Sequence, residues 1–90
     1  MASIQLPSQL AGLAEGRKQI KVDASTLGEA LRKLDDEAPM IRSQIFDASG
    51  AIRQFVGLFL DERQISDIGD GAQPVGPDSQ LLVVMSVAGG

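Results

Sequence analysis

A chain of 90 residues with 43 % hydrophobic residues and a net charge of −4 has enough apolar material for one core and is too acidic for an ordinary nucleic-acid module. It contains no cysteine and no histidine, which removes disulfides, thiolate metal ligands, an internal thiol nucleophile, the commonest general base and the commonest metal ligand. A free-standing hydrolase, transferase or metalloenzyme does not fit that composition, and neither a metal nor a bound cofactor is expected. The core has to be aliphatic, because there are three Phe and neither Trp nor Tyr. The longest unbroken apolar stretch, Leu81 to Met85, is far too short to span a bilayer, and the opening "MASIQLPSQ" lacks the basic and apolar regions of a signal peptide. The expectation is a cytoplasmic protein with neither membrane nor nucleic acid among its partners, and a monomer when free.

Ser3 to Leu6 alternates polar and apolar residues with Ile4 and Leu6 on one side, as a half-buried strand does, and Pro7 ends regular pairing. Pro7 to Arg17 reads as a loop anchored by Leu10 and Leu13. "KQIKVDA" alternates again, with Ile20 and Val22 inward, so the first two strands form a hairpin with a long connection. "STLGEALRKLDDEAP" predicts a helix. Thr26 is its N-cap, Glu29 completes a capping box, and Leu27, Ala30, Leu31 and Leu34 form one apolar stripe. Pro39 disfavours helical geometry at Ala38 and ends the helix by Glu37 or Ala38. A short helical turn through Ile41, Ile45 and Phe46 is expected next, closed by "DASG". "IRQFVGLFL" predicts a strand that turns at Asp61-Glu62 into a short strand from Gln64 to Ile68. The segment "GDGAQPVGPDS" has to be loop, and Leu81 to Val87 is the last strand. One helix cannot cover both faces of such a sheet, so the pattern predicts an α+β fold with one face open.

The chain finishes "SVAGG". Two residues without side chains can enter a channel too narrow for any Cβ and leave a carboxylate sterically open to attack. Extended, residues 86–90 reach roughly 17 Å at about 3.4 Å per residue, enough to carry that carboxylate into a neighbouring protein. The expected organisation is a domain over 1–85 and a flexible Gly-Gly tail over 86–90.

With "TLGEALRKL", "FVGLFLDERQI" and "SVAGG" in these positions, the sequence resembles the ubiquitin-like sulfur carriers along nearly its whole length. That family includes the small subunit of molybdopterin synthase and the carriers of thiamine and cysteine biosynthesis, and the "VAGG" ending is nearest the cysteine type. The resemblance implies a β-grasp fold, a mixed four- to five-stranded sheet with one main helix on one face. It implies that an E1-like enzyme uses ATP to adenylate the Gly90 carboxylate. Sulfur transfer then gives a thiocarboxylate, which donates sulfur to a biosynthetic enzyme. Gly90 would be the modified residue, and Gly89, Ala88 and Val87 the slender stem behind it. No catalytic residue is expected on the chain itself, since all catalytic groups would lie on its partners, which accords with a protein lacking both His and Cys. A second reading uses the same tail in a ubiquitin-like modifier joined through Gly90 to lysines of target proteins. A third takes the domain as an interaction module whose Gly-Gly is incidental.

Alternation in "FVGLFL" puts Val56, Leu58 and Leu60 on one face and Phe55, Gly57 and Phe59 on the other, and in "LLVVM" it separates Leu82 and Val84 from Leu81, Val83 and Met85. Phe55, Phe59, Leu82 and Val84 are therefore expected as an exposed partner surface, unless long loops or a second copy cover that face too.

Overall fold

Period-two patterning produces the strands, and their pairing decides which side of each becomes core. The computed structural model describes residues 1–86. Its strands are β1 (Ala2–Gln5), β2 (Gln19–Val22), β3 (Val56–Leu60), β4 (Arg63–Ile65) and β5 (Gln80–Met85). They form one mixed sheet in the order β2-β1-β5-β3-β4. β5 runs parallel to β1 and antiparallel to β3, so the last strand of the described chain lies in the middle of the sheet. Register places Ile4 opposite Ile20 and Leu81, Leu58 opposite Val83 and Ile65, and Leu60 opposite Leu81. All these residues are buried.

Helix α2 (Leu27–Glu37) covers that side with Leu27, Ala30, Leu31 and Leu34, all buried in the common core. Each large aliphatic side chain so buried contributes roughly 1.5 to 3 kcal/mol. The helix starts where expected. Thr26 Oγ1 accepts from the Glu29 N–H at 3.2 Å, and Glu29 Oε1 accepts from the Ser25 N–H at 2.7 Å, one residue ahead of the cap. The N–H groups of Leu27 and Gly28 are taken by the long loop before β5. The Leu27 N–H donates to Gln73 C=O and the Gly28 N–H to Gly71 C=O, both at 2.9 Å, while the Val75 N–H donates back to Ser25 C=O at 2.9 Å. The N–H groups of Leu27, Gly28 and Glu29, orphan donors in an uncapped helix, are therefore all partnered. So close an approach needs glycine twice: a Cβ on Gly71, whose φ is +75°, would stand 2.9 Å from Gly28 Cα.

Three local expectations change. The segment after Pro7 is helical, with α1 (Ser8–Ala11) running into a 3-10 turn (Gly12–Ala14). Pro7 C=O accepts from the Leu10 and Ala11 N–H groups, and left-handed Glu15 and Gly16 end the turn. Leu10 is buried and Leu13 half-buried, so the two anchors stand. The strand expected over "IRQFVGLFL" begins only at Val56. Ile52 bridges to Phe46 and the Arg53 N–H donates to Ile45 C=O at 2.7 Å, which spends those residues on α3 (Arg42–Ile45) and its exit. Asp47 closes that exit by accepting from the N–H groups of Ser49 and Ala51. The strand after the turn stops at Ile65. The helical turn through Ile41, Ile45 and Phe46 is present, with all three buried.

Candidate functional site: the uncovered face of the sheet

The register that buries one side fixes the other. Phe59 stands opposite Leu82 and Gln64, Gly57 opposite Val84, and Gln5 opposite Leu82 and Gln19. The uncovered face is thus an apolar island of Phe59, Leu82 and Val84 with Gln5, Gln19, Lys21, Gln64 and Gln80 around it. Leu82 is 41 % and Val84 38 % exposed, as the alternation predicts for that face. Phe59 lies on the same face but is half-buried. The reason is Gly57: a Cβ there would sit 3.2 Å from Phe59 Cε1 and 2.9 Å from Val84 Cγ2. The glycine leaves a recess into which the ring and the valine methyl lean. The F-x-G-x-F spacing of Phe55, Gly57 and Phe59 carried that signal, since a strand glycine beside an aromatic is a known way to cover bare backbone.

Phe55 is 47 % exposed but is not part of β3. It occupies the turn just before the strand with φ +69°, a region that simple alternation could not reveal. Its C=O accepts from the Ser86 N–H at 2.8 Å, which carries the β3–β5 ladder one step past β5. Phe55 is thus tied directly to the residue from which the tail leaves. The remaining tail residues, Val87, Ala88, Gly89 and Gly90, lie outside the described residues.

The far end of the face is acidic. A groove of about 660 Å³ is lined by Phe59, Leu82, Gln80, Asp61, Glu62 and Asp78. Asp61 and Glu62 turn β3 into β4 with φ of +49° and +73°, the two-residue hairpin geometry that matches strand twist. Asp61 also clamps β5: its N–H donates to Gln80 C=O at 3.0 Å, and its Oδ1 accepts from the Gln80 N–H at 2.9 Å. That bond, with the Ser79 hydroxyl, holds the Asp61 carboxyl below its ordinary value. In the sequence this pair shows only as a turn. A larger cavity, about 830 Å³, lies by α3 between Arg42, Arg53, Asp35, Asp47 and Asp67 and includes none of the expected site residues. Among the described residues no group of three or more His, Cys, Asp or Glu could hold a metal, and no helix is long and apolar enough to cross a membrane.

No family model and no curated protein matches the sequence. Solved structures do. A chain of the BexX/CysO complex of Amycolatopsis orientalis superposes with a TM-score of 0.84 at 17 % identity, over 100 % of both chains. CysO of Mycobacterium tuberculosis gives 0.83 at 19 % identity over 97 % of this chain and 100 % of that one. SAMP1 of Haloferax volcanii gives 0.78 at 22 % identity over 99 % and 98 %. The fold is the ubiquitin-like β-grasp. At these identities the likeness extends to architecture, in which β5 joins the β1–β2 pair to the β3–β4 pair within the sheet. It also leaves one face of the sheet uncovered, since α2 covers the other.

Proposed function

We propose that the protein is a sulfur carrier whose Gly90 carboxylate is adenylated by an E1-like enzyme using ATP and converted to a thiocarboxylate, which a sulfur-accepting biosynthetic enzyme consumes. The observation that carries this reading is the position of the tail root. Ser86 is held by Phe55 at the end of a sheet face that exposes Leu82 and Val84, so a partner that grips the face also receives the chain end at a set distance. The resemblance of "SVAGG" to the carrier family supports the same reading, as does the likeness to a chain found in complex with BexX. In chemical terms a carboxylate is a poor electrophile, and the mixed anhydride with AMP supplies the leaving group that it lacks. The sulfur nucleophile then forms the acyl–sulfur bond as AMP departs. The protein is co-substrate rather than catalyst.

The test is intact mass after incubation with an E1-like enzyme, ATP and a sulfur source. The expected product has one oxygen replaced by sulfur, located at Gly90 by fragmentation. Deleting Gly90 withdraws the carboxylate by about 3.4 Å, where misplacements near 1 Å can already cost a hundredfold in rate. Adding one alanine after Gly90 turns the reactive carboxylate into an amide. Gly89→Val places a branched side chain beside the carbonyl. Each change should abolish adenylation, followed by pyrophosphate release, while melting stays at the parent value. Normal sulfur uptake by the Gly90 deletion overturns the carrier reading.

The likeness to SAMP1, a small archaeal modifier protein, favours one second reading, a ubiquitin-like modifier conjugated through Gly90 to target lysines. Conjugates with a Gly-Gly remnant on lysine after proteolysis, in cells expressing the chain, would select it.

A further inference from the structure

Phe55 takes φ +69° as the third residue of a turn closed by the Val56 N–H donating to Arg53 C=O at 3.1 Å, a position that favours glycine over phenylalanine. A bulky side chain in the left-handed region is strained relative to glycine, and such outliers persist where the surroundings or a function hold them. Core packing does not account for Phe55, because its ring is about half exposed and the residue lies outside the buried cluster. What the position does provide is location. Phe55 C=O holds the Ser86 N–H, and only the four residues 87–90 separate that bond from the Gly90 carboxylate, a reach of about 14 Å.

We propose that Phe55 is the anchor that seats this domain on the enzyme that reads its tail. The ring enters an apolar pocket beside the tail channel, and the left-handed backbone aims it there. The proposal rests on the carrier reading. It assigns the strain at Phe55 to binding: the ring stands at a fixed short distance from the departing chain, so filling the pocket places the carboxylate in register with the nucleotide. Among the described residues Phe55 is the exposed aromatic, and aromatic side chains that fill a pocket are the commonest anchors of protein interfaces. The occupant is accordingly an apolar, ring-sized pocket on an adenylating enzyme.

The experiment titrates the full 90-residue chain into ATP–pyrophosphate exchange with the E1-like adenylating enzyme of the source organism. The parent is compared with Phe55→Gly, Phe55→Ala and Met40→Ala. Met40, exposed in the turn after α2, controls for the loss of any exposed apolar side chain. The expected result is a rise in KM of roughly 10- to 100-fold for both Phe55 variants, with kcat near the parent value and no change for Met40→Ala. Phe55→Gly should melt at or above the parent temperature, because glycine relieves the left-handed backbone. Unchanged KM for the Phe55 variants beside an active parent overturns the anchor and leaves the carrier reading standing. A clear fall in melting temperature for Phe55→Gly overturns it as well, by making the ring a packing group. An equal loss in Met40→Ala overturns it as non-specific. A parent chain that is not adenylated at all removes both readings.

Discussion

Gly71→Ala tests how tightly the long loop is fastened to the start of α2. Two costs act together at this residue. Its φ of +75° is left-handed, where alanine is disfavoured by about 1 kcal/mol relative to glycine. The new Cβ would also lie 2.9 Å from Gly28 Cα and 3.1 Å from Gly28 N, both backbone atoms of a packed helix that cannot rotate aside. The loop must retreat, and its retreat breaks the bonds from the Gly28 and Leu27 N–H groups to Gly71 and Gln73. Each such bond contributes about 1 kcal/mol net. The sum is roughly 3 kcal/mol, a large share of what a small domain has. Gly69 provides the control, since it is also left-handed, with φ +61°, but a Cβ there meets nothing within 4 Å. Gly69→Ala should therefore cost only the backbone part, about 1 kcal/mol. Urea unfolding at 25 °C would read the difference as a midpoint lower by about 2 M in Gly71→Ala than in Gly69→Ala, for a slope near 1 kcal/mol/M. If the two variants unfold within about 0.5 kcal/mol of each other, the loop does not press on the helix as described.

Leu31→Ala should cost roughly 2 to 4 kcal/mol in chemical denaturation, because Leu31 is 3 % exposed and its loss leaves a cavity between α2 and the sheet; a loss under one would mean that this helix face is not the packed one. Phe59→Asp should leave the circular dichroism spectrum unchanged and lower the melting temperature only modestly, since the ring lies on the uncovered face, while weakening binding to the activating enzyme; outright unfolding would show that face to be core. Acid should destabilise the fold in part through Asp61 and Asp47. Both carboxyls are held below their ordinary value of 3.8, Asp61 chiefly by the Gln80 N–H and Asp47 chiefly by the Ser49 hydroxyl. A depressed folded-state pKa gives stability that is present above the unfolded value and lost as pH falls through the folded one. Asp61→Asn combined with Asp47→Asn should therefore flatten the acid limb of the stability–pH curve below about pH 4, and an unaltered limb would show these bonds to be without weight.

How much of this was legible in the sequence depended on whether the signal was periodic. Helix α2 announced itself through Thr26, Glu29 and four spaced aliphatics, and its capping box is in place, shifted by one residue at Ser25. The two faces of β3 and β5 could be sorted by alternation, because no bulge intervenes between Val56 and Leu60. Helix α1 was not readable, because four residues after a proline are too few to show a 3.6-residue period. Nothing in local preference points to a left-handed phenylalanine at Phe55, where the expected residue is glycine. The union of Gly28 with Gly71 joins residues 43 apart, and the sequence shows only two ordinary glycines. The expected chemistry at Gly90 rests on the tail sequence and its resemblance, and the described structure contributes the surface from which that tail departs.

The central position of β5 bears on what happens when something pulls on the tail. β5 lies between β1 and β3, and its hydrogen bonds to both neighbours run across the strand. A tug along the tail therefore loads those two ladders in shear, many bonds at once, whereas an edge strand pulled sideways would come away one bond at a time. The Ser86–Phe55 and Asp61–Gln80 bonds pin the same strand at its two ends. Whatever draws on the chain end thus works against the strand least easily pulled out of the sheet.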